Sequence, residues 1–260
     1  MEDGITKKIA DEASGVLTEV YKDALSPSVQ TVGVMLSYLP RSIRLTFSRW
    51  EKWIINGEET LKLTAEVLKE KVSKIPENKL CEPEPYVAIP AMQQLSYCEN
   101  NESLREMYAN LLASSMNIDT KWNVHPAFVD IIKQLTPDEA KFLKKLPPFI
   151  MILHPLIDVK AKNGSKSHTM ISNFTTYGLD VIENKSNINS YIENLERLKI
   201  IQIPELSSIS NKEVYVELKN NEMLKNSIHS SFSEHFTIDY NYKLFHVTNF
   251  GAKLIETCCK

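Results

Sequence analysis

One stretch, Asn101 to Leu146 (NESLREMYANLLASSMNIDTKWNVHPAFVDIIKQLTPDEAKFLKKL), most limits what this chain can fold into. Leu104, Tyr108, Leu111, Leu112 and Ser115 recur at helical spacing and share one face. After a polar break, Phe128, Ile131, Ile132 and Leu135 repeat the pattern, with Pro126 at a first helical position. The segment TPDE then starts a third helix: Thr136 can cap it, Pro137 fits its first turn, and Glu139 can reach back to close a capping box. Three helices joined by short turns should pack as one unit, and Ser115 is small enough for close packing.

The chain ahead of this unit reads as helical. Ile5, Ile9, Ala13, Val16, Val20 and Ala24 step by three or four residues, and Pro27 ends or kinks that helix. An uncharged stretch, Ala24 to Pro40, leads into RSIRLTFSRWEKWII. Here Ile43, Phe47, Trp50 and Ile54 form an apolar stripe, Arg41, Arg44, Arg49 and Lys52 add positive charge, and Trp53 adds a second indole. A basic helix with aromatic residues beside an apolar stripe has the composition of an interfacial membrane helix. The same stripe also serves as core in a globular protein. Both readings stand: peripheral contact with the inner face of a membrane, or burial. Leu61, Ala65, Leu68 and Val72 define a further helix with a charged outer face, stopped at Ile75-Pro76. CEPEPYVAIP, Cys81 to Pro90, should be an extended connector, with Glu82 and Glu84 exposed, followed by a helix from Pro90 to Tyr97.

Beyond Leu146 the character changes. Pro147 and Pro148 end the helix, and FIMILHPLIDVK should be at least partly extended. KNGSKSH is read as a turn centred on Asn163-Gly164. Ile188, Tyr191, Ile192, Leu195 and Leu198 make a helix that runs into KIIQIP, a short strand. VYVEL alternates as a strand would, NEMLKNSIHSSF reads as a helix, and YKLFHVTNFGAKLIETC closes as strand, turn and helix. Helix, strand, strand and a helix starting near T-N-F-G resemble a winged helix, although the segment between the two strands is longer than a simple wing needs. The fold class expected is mainly α with a smaller α+β part: an N-terminal helical bundle followed by a winged-helix-like C-terminal region. The boundaries are 1–80 for the N-terminal helices, 81–146 for the connector and central helical unit, and 147–260 for the α+β region, which should hold all substantial β-structure.

Catalytic motifs are absent. There is no G-x-S-x-G, no P-loop, no G-x-G-x-x-G and no H-E-x-x-H, and the six histidines include no i, i+4 pair. Ser114, Ser115, His125 and Asp130 allow a nucleophile and base on paper, but packing is the favoured reading. Cys81, Cys98, Cys258 and Cys259 form no C-x-x-C, so reduced thiols in a cytoplasm are expected, with one of the last pair buried and the other exposed. With a net charge of −3 the chain has no general attraction to nucleic acid or anionic lipid. Residues 187–199 offer Arg197 and Lys199 against Glu193 and Glu196, with Asn187, Asn189, Ser190 and Asn194 as readers of base edges. Phosphate neutralisation dominates nucleic-acid affinity, so protein contact is at least as well supported as DNA. No catalytic residue, metal or cofactor is expected. The partners expected are another protein or a second copy, with peripheral membrane contact through the Arg41–Ile55 helix.

LREMYANLLASSMN and VHPAFVDIIKQLTPDEAKFLKKL resemble the Abi-alpha family of bacterial proteins. The likeness extends to KIPENKLCEPEPYVAIPAMQQLSYCEN, to VYKDALSPSVQTVGVML and to HVTNFGAKLIETC. Those proteins are proposed abortive-infection (phage-defence) proteins. The resemblance implies a defence role and brings no catalytic residues with it; with no catalytic motif in the sequence, a non-enzymatic defence protein is the reading expected. A DNA-binding regulator, and an enzyme whose site is assembled by the fold, are the rival readings.

Overall fold

The computed structural model describes residues 67–95, 97–98, 101–163, 166–230 and 237–260. The expected N-terminal bundle, with its helices at Ile5–Ala24 and Arg41–Ile55, lies outside the described residues. Residues 67–73 are helical, with Leu68 and Val72 buried, and the helix ends before Pro76 as its sequence implies.

Four helices follow: α1 (Pro85–Leu95), α2 (Glu102–Ser115), α3 (Ala127–Lys133) and α4 (Pro137–Lys145). Helix α2 is the hub. Leu104, Met107, Tyr108, Leu111, Leu112 and Ser115 are all buried, together with Asn110. The capping box at α4 is complete: Glu139 N donates to Thr136 Oγ1 at 3.2 Å, and Thr136 N donates to Glu139 Oε2 at 2.6 Å. Thr136→Ala is expected to lower stability by about 1 kcal/mol, read as a shift in the urea midpoint, with Lys133→Ala on the exposed face of α3 as a neutral control.

The segment expected to be an extended connector is corrected by α1, which begins at Pro85 and carries Pro90 inside it. An interior proline removes one helical hydrogen bond, at a cost of about 3 kcal/mol. Here the carbonyl left without its donor is that of Tyr86, a residue 61% exposed, so water can satisfy it. Burial of Val87, Ala88, Ala91 and Leu95 on the opposite face holds the helix. Glu82 and Glu84 are exposed.

All four strands among the described residues lie after Leu146: β1 (His154–Asn163), β2 (Lys166–Phe174), β3 (Ile201–Gln202) and β4 (Thr237–Val247). They form one antiparallel sheet in the order β2-β1-β4-β3. Lys166, Ser167 and His168, expected in a turn, are strand residues, paired with Asn163, Lys162 and Ala161. The register of β1 against β2 slips near Val159, and such irregularities increase twist. Between the strands stand α5 (Ile188–Arg197), α6 (Val216–Asn220) and α7 (Glu222–Ser230), and α8 (Asn249–Cys258) ends the fold.

VYVEL is corrected from strand to helix, divided between a 3-10 turn (Lys212–Tyr215) and α6. Tyr215 and Leu218, its buried residues, stand three apart as on a helix, whereas alternation would bury Val216, which is 45% exposed. Tertiary contacts hold it there: Tyr215 Oη accepts from Ile209 N and donates to Lys243 O, both at 2.8 Å, and the ring packs on Tyr242. The structure is therefore α+β, with helices and sheet sharing one core. Helix α8 returns to α2, where Asn110 Nδ2 donates to Cys258 O at 2.9 Å and Ser114 Oγ donates to Thr257 O at 3.1 Å. Hydrophobic contact runs unbroken from Leu68 to Cys258, across Leu146.

Candidate functional site

Arg41, Ile43, Arg44, Phe47, Arg49, Trp50, Lys52, Trp53 and Ile54 all lie outside the described residues. The chain that follows them enters the described fold beside α2 and α4. Lys71 lies 3.7 Å from Glu106, and Lys144 pairs with the same carboxylate. Partial burial alone would raise the Glu106 carboxyl, but the hydrogen bond and charge of Lys144, with Lys71 behind it, hold it below its ordinary value.

The end of α4 carries the least expected surface of the molecule. After Pro147 and Pro148, residues Phe149 (60% exposed), Ile150 (42%), Met151 (83%), Ile152 (39%) and Leu153 (47%) are all in contact with solvent. Ile152 N donates to Phe149 O at 3.3 Å, so Ile150 and Met151 occupy the corners of a turn. Those positions usually hold Gly, Asn, Asp or Ser. The five consecutive apolar residues do not announce an exposed turn in the sequence. What conceals it is that a run of branched residues reads first as a buried strand.

The turn stands on a packed base. Tyr177 Oη donates to Lys145 O at 2.8 Å, the Lys145 ammonium lies 5.4 Å from the Tyr177 ring centre, and Asp180 pairs with Lys145. His154 lies between Tyr177 (centroids 4.2 Å apart) and Phe245 (4.7 Å, stacked). Its Nε2 is buried without a partner, and burial lowers its pKa to about 4. Gly178, at φ +81°, lets this segment close on Phe142, since a Cβ there would meet Phe142 Cδ2 at 2.4 Å.

A second polar cluster lies within the sheet. Asp158 accepts from Asn173 N (2.9 Å), Asn241 Nδ2 (3.2 Å) and Lys243 Nζ (3.4 Å), and Lys243 also donates to Asn173 Oδ1. Asn173 sits at φ 52°, a conformation that asparagine tolerates. These bonds tie β1, β2 and β4 together, and every charge in the cluster has a partner.

The nucleophile and base available on paper do not meet. Ser115 Oγ donates to Leu112 O, Ser114 Oγ donates to Thr257 O, and His125 Nδ1 accepts from Ala127 N while its ring edges onto Phe250. On α5, two of the residues named as readers of base edges face inward. Asn189 donates to Ser172 O, Asn194 donates to Gln134 O and Glu139 Oε1, and Arg197 bonds Asn194 and Gln134. Cys258 is buried and Cys259 is half-buried rather than exposed. Burial pushes the Cys259 thiol up to about 12 and that of Cys258 well above its ordinary value, so neither is a ready nucleophile. Among the described residues no group of three or more His, Cys, Asp or Glu side chains could hold a metal, and no helix is long and apolar enough to cross a membrane.

The helical hub, the antiparallel sheet and the returning C-terminal helix lie within a single stretch of family likeness. The chain belongs to the abortive infection alpha family, whose model matches residues 56–258. No curated protein and no solved structure matches it.

Proposed function

We propose that this is a bacterial antiviral (abortive infection) defence protein that acts by contact with a protein or a membrane rather than by catalysis. Membership of the abortive infection alpha family carries the reading. The working parts are the basic aromatic segment Arg41–Ile55 and the C-terminal region. The first engages the inner face of a membrane, through Ile43, Phe47, Trp50, Trp53 and Ile54 in the acyl boundary and Arg41, Arg44, Arg49 and Lys52 on anionic headgroups. Each such charge is worth roughly 1 kcal/mol near the surface. The second, in which α5 and β3 are separated from β4 and α8 by α6 and α7, is read as winged-helix-like and serves protein contact or self-association. The bonds of Asn189 to Ser172 O and of Asn194 to Gln134 O and Glu139 Oε1 favour that use over reading of base edges.

Phage plating tests the role. Cells expressing the intact chain should plate at least one lytic phage roughly tenfold or more below empty-vector cells. Replacing Phe47, Trp50 and Ile54 by serine should restore plating, with the protein still present by immunoblot. Equal plating of vector and wild type across a broad phage panel would remove the defence reading. Undiminished protection by the triple variant would remove the membrane segment from it.

A further inference from the structure

We infer that two copies of this chain pair along the open edge of β2, antiparallel and strand to strand, so that their sheets become one. This rests on the self-association half of the proposed function and gives it a site. In the order β2-β1-β4-β3, β2 is bonded to a strand on one side alone. Along its other side no strand lies among the described residues. Backbone N–H and C=O groups left in such a row are a template for another strand. Proteins usually blunt their edges with short strands, prolines or several charges. β2 has nine residues and no proline, and Lys166 is its one Lys, Arg, Asp or Glu. Lys166, Ser167, His168 and Thr169 are all exposed, and their pairing with β1 is regular, since the register slips fall further along, between Ile157 and Lys160 of β1.

The charges at the two ends of this edge select a second copy as the occupant. At the outer end stands Lys166. At the inner end stands α5, where Asn189 Nδ2 donates to Ser172 O and Ser172 Oγ donates to the exposed Glu193 Oε1 at 2.8 Å. Neither Lys166 nor Glu193 has an oppositely charged partner among the described residues. Two antiparallel strands related by a two-fold axis bring the outer end of one to the inner end of the other. Outward N–H and C=O groups recur at every second residue, so the axis must pass through a residue that faces its own copy. With Thr169 in that place, His168 stands opposite Met170 and Lys166 stands opposite Ser172, beside Glu193. Symmetry makes each contact twice, and the facing threonines are a favourable cross-strand pair. A strand pair of this length is smaller than a standard interface, so the dimer should have a Kd of roughly 1–100 μM.

The test is sedimentation equilibrium of the full chain over a concentration series. Lys166→Glu and Glu193→Lys each set like charges against each other twice, and each should weaken the dimer roughly tenfold or more. The double variant Lys166→Glu/Glu193→Lys exchanges the charges and should restore wild-type dimerisation, which a mere disturbance of the fold would not do. Both side chains are exposed, so the far-ultraviolet circular dichroism of all three variants should match that of the wild type. Thr169→Cys should form a reducible dimer under mild oxidation, because facing residues of an antiparallel pair lie about 5 Å apart between Cα atoms, within disulfide reach. Lys133→Cys, on the exposed face of α3, should not. If the wild type dimerises, the single variants dimerise equally well and Thr169→Cys does not cross-link, another face is used: this inference fails while the proposed function stands. If the wild type stays monomeric up to about 500 μM, well above the expected Kd, the self-association half of the proposed function fails with it. Phage plating still reads the defence role in that case.

Discussion

Gly251→Ala should destabilise the protein by about 3 kcal/mol, a large fraction of the roughly 5–15 kcal/mol by which folded proteins are usually stable. On helix propensity alone the change would be favourable by about 1 kcal/mol, since Gly251 lies in the first turn of α8. The sign is set by what the new methyl would meet. A Cβ at Gly251 would lie 2.0 Å from the Ile200 carbonyl oxygen, 2.8 Å from its carbon and 3.0 Å from its Cα, all backbone atoms. That backbone cannot step aside. Thr248 holds it by accepting from Gly251 N (2.9 Å), donating through Oγ1 to Lys199 O (2.6 Å) and donating its own N–H to Ile200 O (3.0 Å). On the other side, Ile200 N donates to Leu195 O and Lys199 N to Glu196 O, both closing the end of α5. The check is urea unfolding of Gly251→Ala against Lys253→Ala, an exposed change in the same helix. A Gly251→Ala midpoint close to that of the control would mean that α8 does not approach β3 this closely.

The same junction shows what a sequence can disclose. The T-N-F-G run announces a helix start, and Thr248 caps α8 through the Gly251 N–H. Thr136 with Glu139 announces α4 in the same way. Both signals are local, because the cap and the group it satisfies stand three residues apart. The face of α2 and the burial of Tyr191, Ile192 and Leu195 in α5 are also local in origin, set by a period of 3.6. The end of α5 is less legible, since its left-handed residue is Lys199, at φ 59°, where a glycine would have been the usual sign.

Elements decided by distant partners are not legible in this way. Tyr215 is pinned by Lys243, 28 residues away, so the alternation in VYVEL carries no information about strand. Helix α1 tolerates Pro90 because the surrounding core holds Val87, Ala88, Ala91 and Leu95. The cluster at Asp158 depends on β1 lying between β2 and β4, an order of strands that no local spacing encodes. For the candidate site, the basic aromatic segment stands out by composition, whereas the apolar turn at Phe149–Leu153 emerges only from its exposure in the fold.

His154 should make the protein acid-sensitive well above the pH at which carboxylates titrate. The ring lies between Tyr177 and Phe245 with Nε2 buried and unpartnered, and burial lowers its pKa from about 6.5 to about 4. The depressed value means that the native state binds the proton less well than the unfolded chain. The stabilisation from the neutral ring is therefore whole above pH 6.5, is lost as pH falls below that, and is gone once pH passes below about 4. The full span corresponds to roughly 3 kcal/mol, with about 2 kcal/mol already lost at about pH 5. The charged groups nearest the stack act through Tyr177: Lys145, whose carbonyl accepts the phenol proton, and Asp180, which pairs with Lys145. Asp180 is held below its ordinary value chiefly by the hydrogen bond from Lys145, so it stays ionised through this window and the change there belongs to His154. His154→Phe keeps an aromatic ring between Tyr177 and Phe245 and removes the buried nitrogen. Urea unfolding at pH 7, 6 and 5 should show wild-type stability falling by about 2 kcal/mol more than that of the variant. Parallel loss in both proteins would assign the acid sensitivity to other groups. Because His154 directly follows Leu153, its protonation would also loosen the base of the apolar turn. A fall in melting temperature near about pH 5 should therefore be accompanied by faster proteolysis between Phe149 and Leu153 in the wild type and not in His154→Phe.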